Sequence, residues 1–394
     1  MAEKTAHRTR ASWSALPMFF DEPHRALGER CDRDLTDADV ALHEPQRVVP
    51  RLAELKLLPL LVPTSQGGGA WGHGGAGVDV RALSIAREAI AYVSPLADSI
   101  FAVQGLGTYP LQLAGSAEQK QQLSAFASGA GIAAFALTEP EAGSDVAAIA
   151  TRAAPTADGY RLDGDKLFIS NLGLADHAVV VASTEPDLGA RGLTAFWVPL
   201  DAAGVTVKPL VATAPHPIGA LELRGVAVPA SAKIGEVGQG MKLAMQTLDT
   251  FRVSVGAAAV GMARRALDEA LAFVTRRVQF GKLLAEQPLI QATLADMQVD
   301  LDAARLLVLR ATHRRDTTKD RVTTEVSIAK LGATEAAFRV IDRAVQLLGG
   351  RGVMQGAIAE HLYRAIRPLR IYEGTSEIQR TIIGKALVTP RLPR

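Results

Sequence analysis

The apolar spacing of this chain changes twice, and those two changes restrict its fold more than any other feature. From about Asp21 to Ala130 apolar residues recur with the period of a helix. Val48, Leu52, Leu55 and Leu58 form one such run, which Pro59 and Pro63 end. Further helices are predicted over 80–92 and 99–113, the second so apolar that it should be buried. From Ala130 to about Gly238 the pattern becomes short, strand-like runs at 133–137, 160–170, 178–183, 193–200, 205–209 and 221–228. Turn signals such as Asp158-Gly159 and Asp163-Gly164 separate them. From Gln239 the helical period returns in four long stretches, roughly 239–276, 283–313, 322–348 and 374–388. The order predicts an α+β fold, mostly α. It has a loose lead-in over 1–20, a helical domain over 21–130, a small antiparallel β domain over 131–238 and an up-and-down helical bundle over 239–394.

Composition narrows the function. Net charge is +2, with Arg and Lys spread out, which gives no whole-chain case for nucleic acid. One cysteine, Cys31, excludes a disulfide within the chain and a thiolate metal cluster. The eight histidines lack HxxxH or HExxH spacing, so no metal is expected. There is no Gly-x-Ser-x-Gly nucleophile turn. The Gly-rich loop over 67–77 does not follow a strand and lacks a Gly-Lys-Ser/Thr ending, so it reads as a flexible turn. The polar, basic start has no apolar core, and no run reaches membrane-spanning length. The expectation is a cytoplasmic enzyme with no integral membrane association.

Five stretches carry chemistry. In 370–380 Glu373 precedes Gly374, and Thr375 can cap a helix whose apolar face begins with Ile378. A helix N-terminus favours the anion, whereas apolar neighbours such as Ile371 and Tyr372 disfavour it. Those opposed effects suit a base that takes a weakly acidic C–H proton; a capped surface turn is the alternative. In 137–145, Thr138 and Ser144 (beside Gly143) can donate to a heterocycle, or simply cap a strand. In 166–171, Phe168 and Ser170 are two apart and so share one side of a strand, where a ring could cover a flat group and a hydroxyl bond to it; a core Phe is the alternative. In 276–282, Arg277 can hold a phosphate and Phe280 can pack on a base, and the segment also fits a helix C-terminus. In 345–352, Gly349 and Gly350 can admit a pyrophosphate to backbone N–H groups, or end a helix. Asp249 and Arg252 share a helix face, as a buried pair or as pocket lining.

Taken in order, the stretches at 138–145, 166–171, 277–282, 346–350 and 371–375 closely resemble the acyl-CoA dehydrogenase family, over roughly residues 40–388. The resemblance implies a helical N-terminal domain, a β-barrel-like middle domain and a C-terminal four-helix bundle, assembled as a homotetramer that binds FAD. It implies that Leu137, Thr138, Gly143 and Ser144 meet the flavin, with Phe168 and Ser170 on its other side. Arg277, Gln279, Phe280, Gln346, Gly349 and Gly350 would hold the pyrophosphate and adenosine of an FAD in the neighbouring subunit. Thr375 and Glu377 would touch the cofactor after the catalytic turn. Glu373 matches the family's base. It would remove the α-proton of an acyl-CoA while a β-hydride passes to the flavin, giving a trans-2-enoyl thioester. Ser144, Asp249, Phe251, Arg252, Tyr372 and Gly374 are the implied substrate contacts. Phe101, Gln104, Tyr109, Leu248 and Phe251 would floor a pocket for a short or branched acyl group. An electron-transfer flavoprotein would take the electrons.

Two positions depart from the family pattern. Some members carry their base just before the Arg of the Asp-x-x-Arg pair, where this chain has Phe251. Many have Arg-Asp where this one has Arg364-Ala365. Three other readings stay open: an acyl group on a carrier protein, an oxidase that uses oxygen, and a non-catalytic binding protein of the same fold.

Overall fold

The computed structural model of the chain describes residues 16–69 and 77–389. Most of the lead-in and of the Gly-rich loop fall outside the described residues. Helices α1 (Glu22–Asp34), α2 (Pro45–Glu54), α3 (Val80–Val93), α4 (Pro95–Ala114), α5 (Ala117–Gln121) and α6 (Leu123–Ser128) come first. Strands β1 (Ala133–Ala136), β2 (Arg152–Pro155), β3 (Gly159–Ser170), β4 (His177–Ser183), β5 (Leu193–Pro199), β6 (Val205–Leu210), β7 (Ile218–Pro229) and β8 (Lys233–Ile234) follow. Then come α7 (Gly240–Val274), a two-stranded hairpin of β9 (Val278–Gln279) and β10 (Lys282–Leu283), α8 (Pro288–Thr317), α9 (Thr323–Leu348), α10 (Ile358–Ile366) and α11 (Ser376–Val388). The helical, β, helical order holds.

The chain divides into two compact units. One comprises Val40–Asp79 and Leu96–Phe251. Its sheet runs in the order β6-β7-β3-β2-β4-β5-β8, with β1 beside β4. The expectation of an antiparallel sheet needs one correction: β1 pairs parallel with β4, Ala133 opposite His177, and β2 meets β4 parallel at Arg152 and Ser183. The sheet is therefore mixed. Parallel neighbours come from distant sequence, so no local turn signal reveals them. β4 is buried on both faces. Val179 and Val181 join a core with Leu111, Phe126, Trp197 and Leu243, while Ala178, Val180 and Ala182 join one with Leu162, Phe196, Leu221 and Val226. That is why its sequence is a continuous apolar run rather than an alternation.

The other unit contains α1, α3 and the chain from Arg252 onward. Every residue of α3 is buried, charged ones included. Glu88 is paired with Arg264 (2.6 Å) and Arg305 (3.4 Å), Arg87 donates to Ser254 Oγ (2.8 Å), and Tyr92 donates to Asp268 (2.7 Å). Buried charges persist only when matched in this way. Gly261 lets α7 approach α3 closely, since a Cβ there would lie 2.1 Å from the Glu88 carbonyl oxygen. Among the described residues no helix is long and apolar enough to cross a membrane, and no cluster of His, Cys, Asp or Glu could hold a metal.

Candidate active site

In the second unit the chain leaves a short 3-10 turn (Arg367–Arg370) and enters α11 through two successive left-handed residues, Glu373 (φ 52°) and Gly374 (φ 91°). A non-glycine residue there is strained and persists only where its surroundings hold it. Three side chains do so. Arg252 Nε donates to the Glu373 carbonyl (2.8 Å), while Lys330 Nζ (2.8 Å) and Gln379 Nε2 (2.9 Å) donate to the Gly374 carbonyl. A Cβ at 374 would sit 2.5 Å from Gln379 Nε2, so glycine is what admits that amide. Thr375 caps α11 as expected, accepting from the Ile378 N–H (3.3 Å). Glu335 braces both sides of the turn, bonded by Arg370 (3.0 and 2.8 Å) and by the Ser376 hydroxyl (2.6 Å).

Lys330 is fully buried, and burial pushes it down to about 8 although the Glu373 charge opposes that shift. The expected neighbours of the carboxylate need correcting. Ile371 is 52 % exposed, and the Glu373 charge acts on the buried Lys330 together with that of Arg252. Lys330, Gln379 and Glu335 were not anticipated. Lys330 had a signal: it interrupts the apolar stripe Val326, Ala329, Ala333, Ala337, Val340 of α9. Glu377 is exposed. Its own backbone N–H and then the Thr375 hydroxyl hold its carboxyl below the usual range.

At another end of this unit, the stretch 276–282 starts on the C-terminus of α7, where Arg276 Nε donates to the Ala272 carbonyl (2.7 Å) and the Arg277 N–H to that of Phe273 (3.0 Å), and then turns back as a tight hairpin. Phe280 (φ 52°) and Gly281 (φ 75°) form its turn, and Phe280 is 97 % exposed. Arg277 and Gln279 are exposed, as are Gln346, Gly349 and Gly350. Arg351, just after the glycines, lies over the Phe273 ring (5.7 Å) at the end of α7, which brings the two motifs to one end of the bundle. Arg364 pairs with Glu360 one turn earlier, a carboxylate partner that does not come from position 365.

In the first unit, the loop after β1 is pinned by one buried ion pair. Glu139 accepts from Ala150 N–H (2.7 Å), Thr151 N–H (3.0 Å) and Lys166 Nζ (2.8 Å). Lys166 also donates to the carbonyls of Leu137 (3.1 Å) and Val181 (2.6 Å). Burial pulls Lys166 down to about 8. Burial alone would raise Glu139, yet Lys166 and the amides hold its carboxyl below the usual range. Leu137 and Thr138 lie at this pinned base, whereas Gly143 and Ser144 are exposed farther along.

Simple strand alternation does not orient Phe168. The β3–β7 register shifts between Lys166 and Ile169, and Phe168 takes φ 59° in that bulge with 61 % of its surface exposed. A bulge re-aims a side chain in this way, so the core alternative for Phe168 is excluded. Ser170, two residues on, contacts His216 Nε2 at 2.7 Å, and His216 Nδ1 contacts Ser99 Oγ at 2.7 Å. Gln104 is a latch, not pocket lining: its amide joins the Phe126 and Gly131 carbonyls and the Ala133 N–H. Phe251 and Phe101 are buried. The Phe251 ring sits edge-on to Tyr109 (5.6 Å) and so close to Gly105 that a Cβ there would lie 2.3 Å away. Asp249 is half-buried.

Residues 16–130, 134–226 and 238–388 match the family descriptions "Acyl-CoA dehydrogenase, N-terminal domain", "middle domain" and "C-terminal domain". The chain is 37 % identical over 381 residues to the mitochondrial short-chain specific acyl-CoA dehydrogenase of Bos taurus, covering 93 % of this chain and 90 % of that one. The structure of butyryl-CoA dehydrogenase from Megasphaera elsdenii superposes with a TM-score of 0.86 at 31 % identity, covering 94 % of this chain and 99 % of that one. A glutaryl-CoA dehydrogenase from Mycobacterium smegmatis in complex with FADH2 gives 0.85 at 27 % identity, covering 96 % and 97 %.

Proposed function

The chain belongs to the acyl-CoA dehydrogenase family, and from that premise we propose that it oxidises the Cα–Cβ bond of an acyl-CoA with Glu373 as base. The observation that carries this reading is the left-handed turn at 373–374, its two carbonyls tied by Arg252, Lys330 and Gln379. Donors fixed on the carbonyls hold the backbone of the residue that bears the carboxylate, and such positioning is what proton abstraction from carbon requires. A thioester acidifies its α-carbon, and Glu373 takes that proton. FAD, the family's cofactor, supplies the acceptor for the hydride that leaves the β-carbon.

Residues of the first unit fit a flat heterocycle: the exposed Phe168 presents an aromatic face from its bulge, Thr138, Ser144 and Ser170 carry hydroxyls, and Leu137 and Gly143 offer backbone groups. Arg277, Gln279, Phe280, Gln346, Gly349 and Gly350 suit a phosphate-bearing nucleotide. A Cβ on either of those two glycines meets nothing within 4 Å, leaving backbone open to approach. An aromatic as exposed as Phe280 also fits a surface that a second copy covers, which supports a homo-oligomer, a tetramer on the family pattern. The substrate reading is a short or branched acyl-CoA, the product its trans-2-enoyl thioester, and the electron acceptor an electron-transfer flavoprotein.

The test is anaerobic rapid mixing of the yellow protein with acyl-CoAs of graded length and branching and with one carrier-bound acyl thioester. Glu373→Gln should stay folded and yellow, and its flavin should bleach at least ~10²–10⁴-fold more slowly. Bleaching near the wild-type rate would remove Glu373 from its role, and protein without a flavin band after incubation with FAD would end the proposal.

A further inference from the structure

Beside Ser170 runs a chain of contacts that the reaction outlined above does not use. Ser170 Oγ lies 2.7 Å from His216 Nε2, His216 Nδ1 lies 2.7 Å from Ser99 Oγ, and Ser99 Oγ lies 2.9 Å from the Leu96 carbonyl oxygen. Each serine has one proton to donate, and a neutral imidazole has one N–H and one acceptor nitrogen. Burial pushes His216 down to about 4, so the ring is neutral at ordinary pH.

Only two proton arrangements satisfy both serine–histidine contacts. In one, Ser99 donates to Nδ1 and Nε2–H donates to Ser170. Ser99 then has no proton for the Leu96 carbonyl, and two acceptor oxygens face each other at 2.9 Å. In the other, Ser99 donates to the Leu96 carbonyl, Nδ1–H donates to Ser99, and Nε2 accepts from Ser170. Only this arrangement makes all three contacts hydrogen bonds, and the carbonyl, which can only accept, fixes the direction of the whole chain.

Resting on the proposed function, which sets Ser170 against the flavin, we propose that His216 is a positioning residue that binds the Ser170 proton, so that Ser170 meets FAD only as a hydrogen-bond acceptor. An acceptor favours a partner that carries a proton. Oxidised flavin offers a bare ring nitrogen at the site of hydride acceptance, whereas the reduced ring carries N–H there. Facing that nitrogen, Ser170 held in this state would stabilise the reduced cofactor, and the fixed hydroxyl would cost no reorientation when the cofactor changes state. Ser99 anchors the chain from the first turn of α4, and the loop before β7 supplies the imidazole.

Two measurements on FAD-loaded protein test this. Histidine ¹⁵N spectra, with His216→Gln to identify the resonance, should show Nδ1 protonated and Nε2 bare. The opposite tautomer, or an imidazolium at neutral pH, overturns the proposal. The flavin midpoint potential should fall in Ser170→Ala and also in His216→Leu, which releases the Ser170 proton toward the cofactor. The double variant should match Ser170→Ala alone, because His216 acts only through Ser170. Additive shifts, or an unchanged or raised potential in Ser170→Ala, overturn the role toward the flavin. The tautomer is read from the protein whether or not Glu373 is the base, so failure of the Glu373 assignment leaves this result legible.

Discussion

Replacing Lys166 with Met removes one charge from a buried network while nearly keeping its shape. The ammonium has three protons and three acceptors: the carbonyls of Leu137 and Val181 and the Glu139 carboxylate. With Met, the Glu139 anion stays buried with only the Ala150 and Thr151 amides, and two carbonyls lose a donor. Breaking a buried pair from one side typically costs about 3–5 kcal/mol. Two amide donors remain to soften the loss, so about 3 kcal/mol is expected for Lys166→Met. Glu139→Gln keeps the shape but strands the cation, and should cost about as much. The double variant Lys166→Met/Glu139→Gln should cost clearly less than the two added together, since no charge is left unmatched. Urea unfolding reads the energies, and amide exchange at Ala150 and Thr151 reads the loop. A Lys166→Met loss below about 1 kcal/mol, with exchange at those two amides unchanged, would show that this pair does not hold the loop.

Other outcomes follow from single sites. Gly261→Ala drives a methyl to 2.1 Å from the Glu88 carbonyl oxygen and 3.1 Å from the Tyr92 nitrogen, so thermal unfolding should show a loss of about 1–3 kcal/mol. Gly384→Ala, where a Cβ meets nothing within α11, should instead gain up to about 1 kcal/mol. His216 has a folded pKa of about 4 against an ordinary 6.5. Below pH 6.5 the unfolded chain takes a proton that the folded one refuses, so stability present above pH 6.5 is lost as pH falls toward 4. The loss is on the order of 3 kcal/mol. His177 shifts in the same direction, so the difference between wild type and His216→Gln across pH 6.5–4 isolates His216. Arg277→Ala should weaken FAD retention and the oligomer together, read by flavin absorbance and light scattering, because a cofactor shared between copies stabilises only the assembly.

The long elements were legible because many apolar residues vote on each one. The predicted 80–92 is Val80–Val93, and 322–348 is Thr323–Leu348. What escaped was short or non-local. Strand β2 reads Arg-Ala-Ala-Pro, without a β-branched or aromatic residue, and β8 has two residues. Helix α10 lies between two motifs and was not foreseen. At the candidate site, Glu373, Thr375 and Phe168 stood out by type and neighbours, but the left-handed backbone of 373 and the bulge at 168 did not. Both depend on partners far away in sequence, Arg252 and Lys330 in one case and β7 in the other. His216 gave no signal, since a lone histidine in a loop shows its meaning only when two serines from other elements reach its two nitrogens.

The placement of β4 bears on how the chain is made. Its apolar residues serve two cores at once, and β1, its parallel neighbour, is already complete when it emerges. The strands that finish its sheet come later: β5 ends at Pro199, β7 at Pro229 and β8 at Ile234. At about 5–20 residues synthesised per second, the run Ala178–Ser183 waits on the order of seconds for that cover. During that wait it is a short uncharged segment rich in Val, the kind of strand that pairs with copies of itself. The hazard of making this protein is thus concentrated in one interval of its synthesis, and slower elongation beyond Ser183 should increase aggregation more than the same slowing after Ile234.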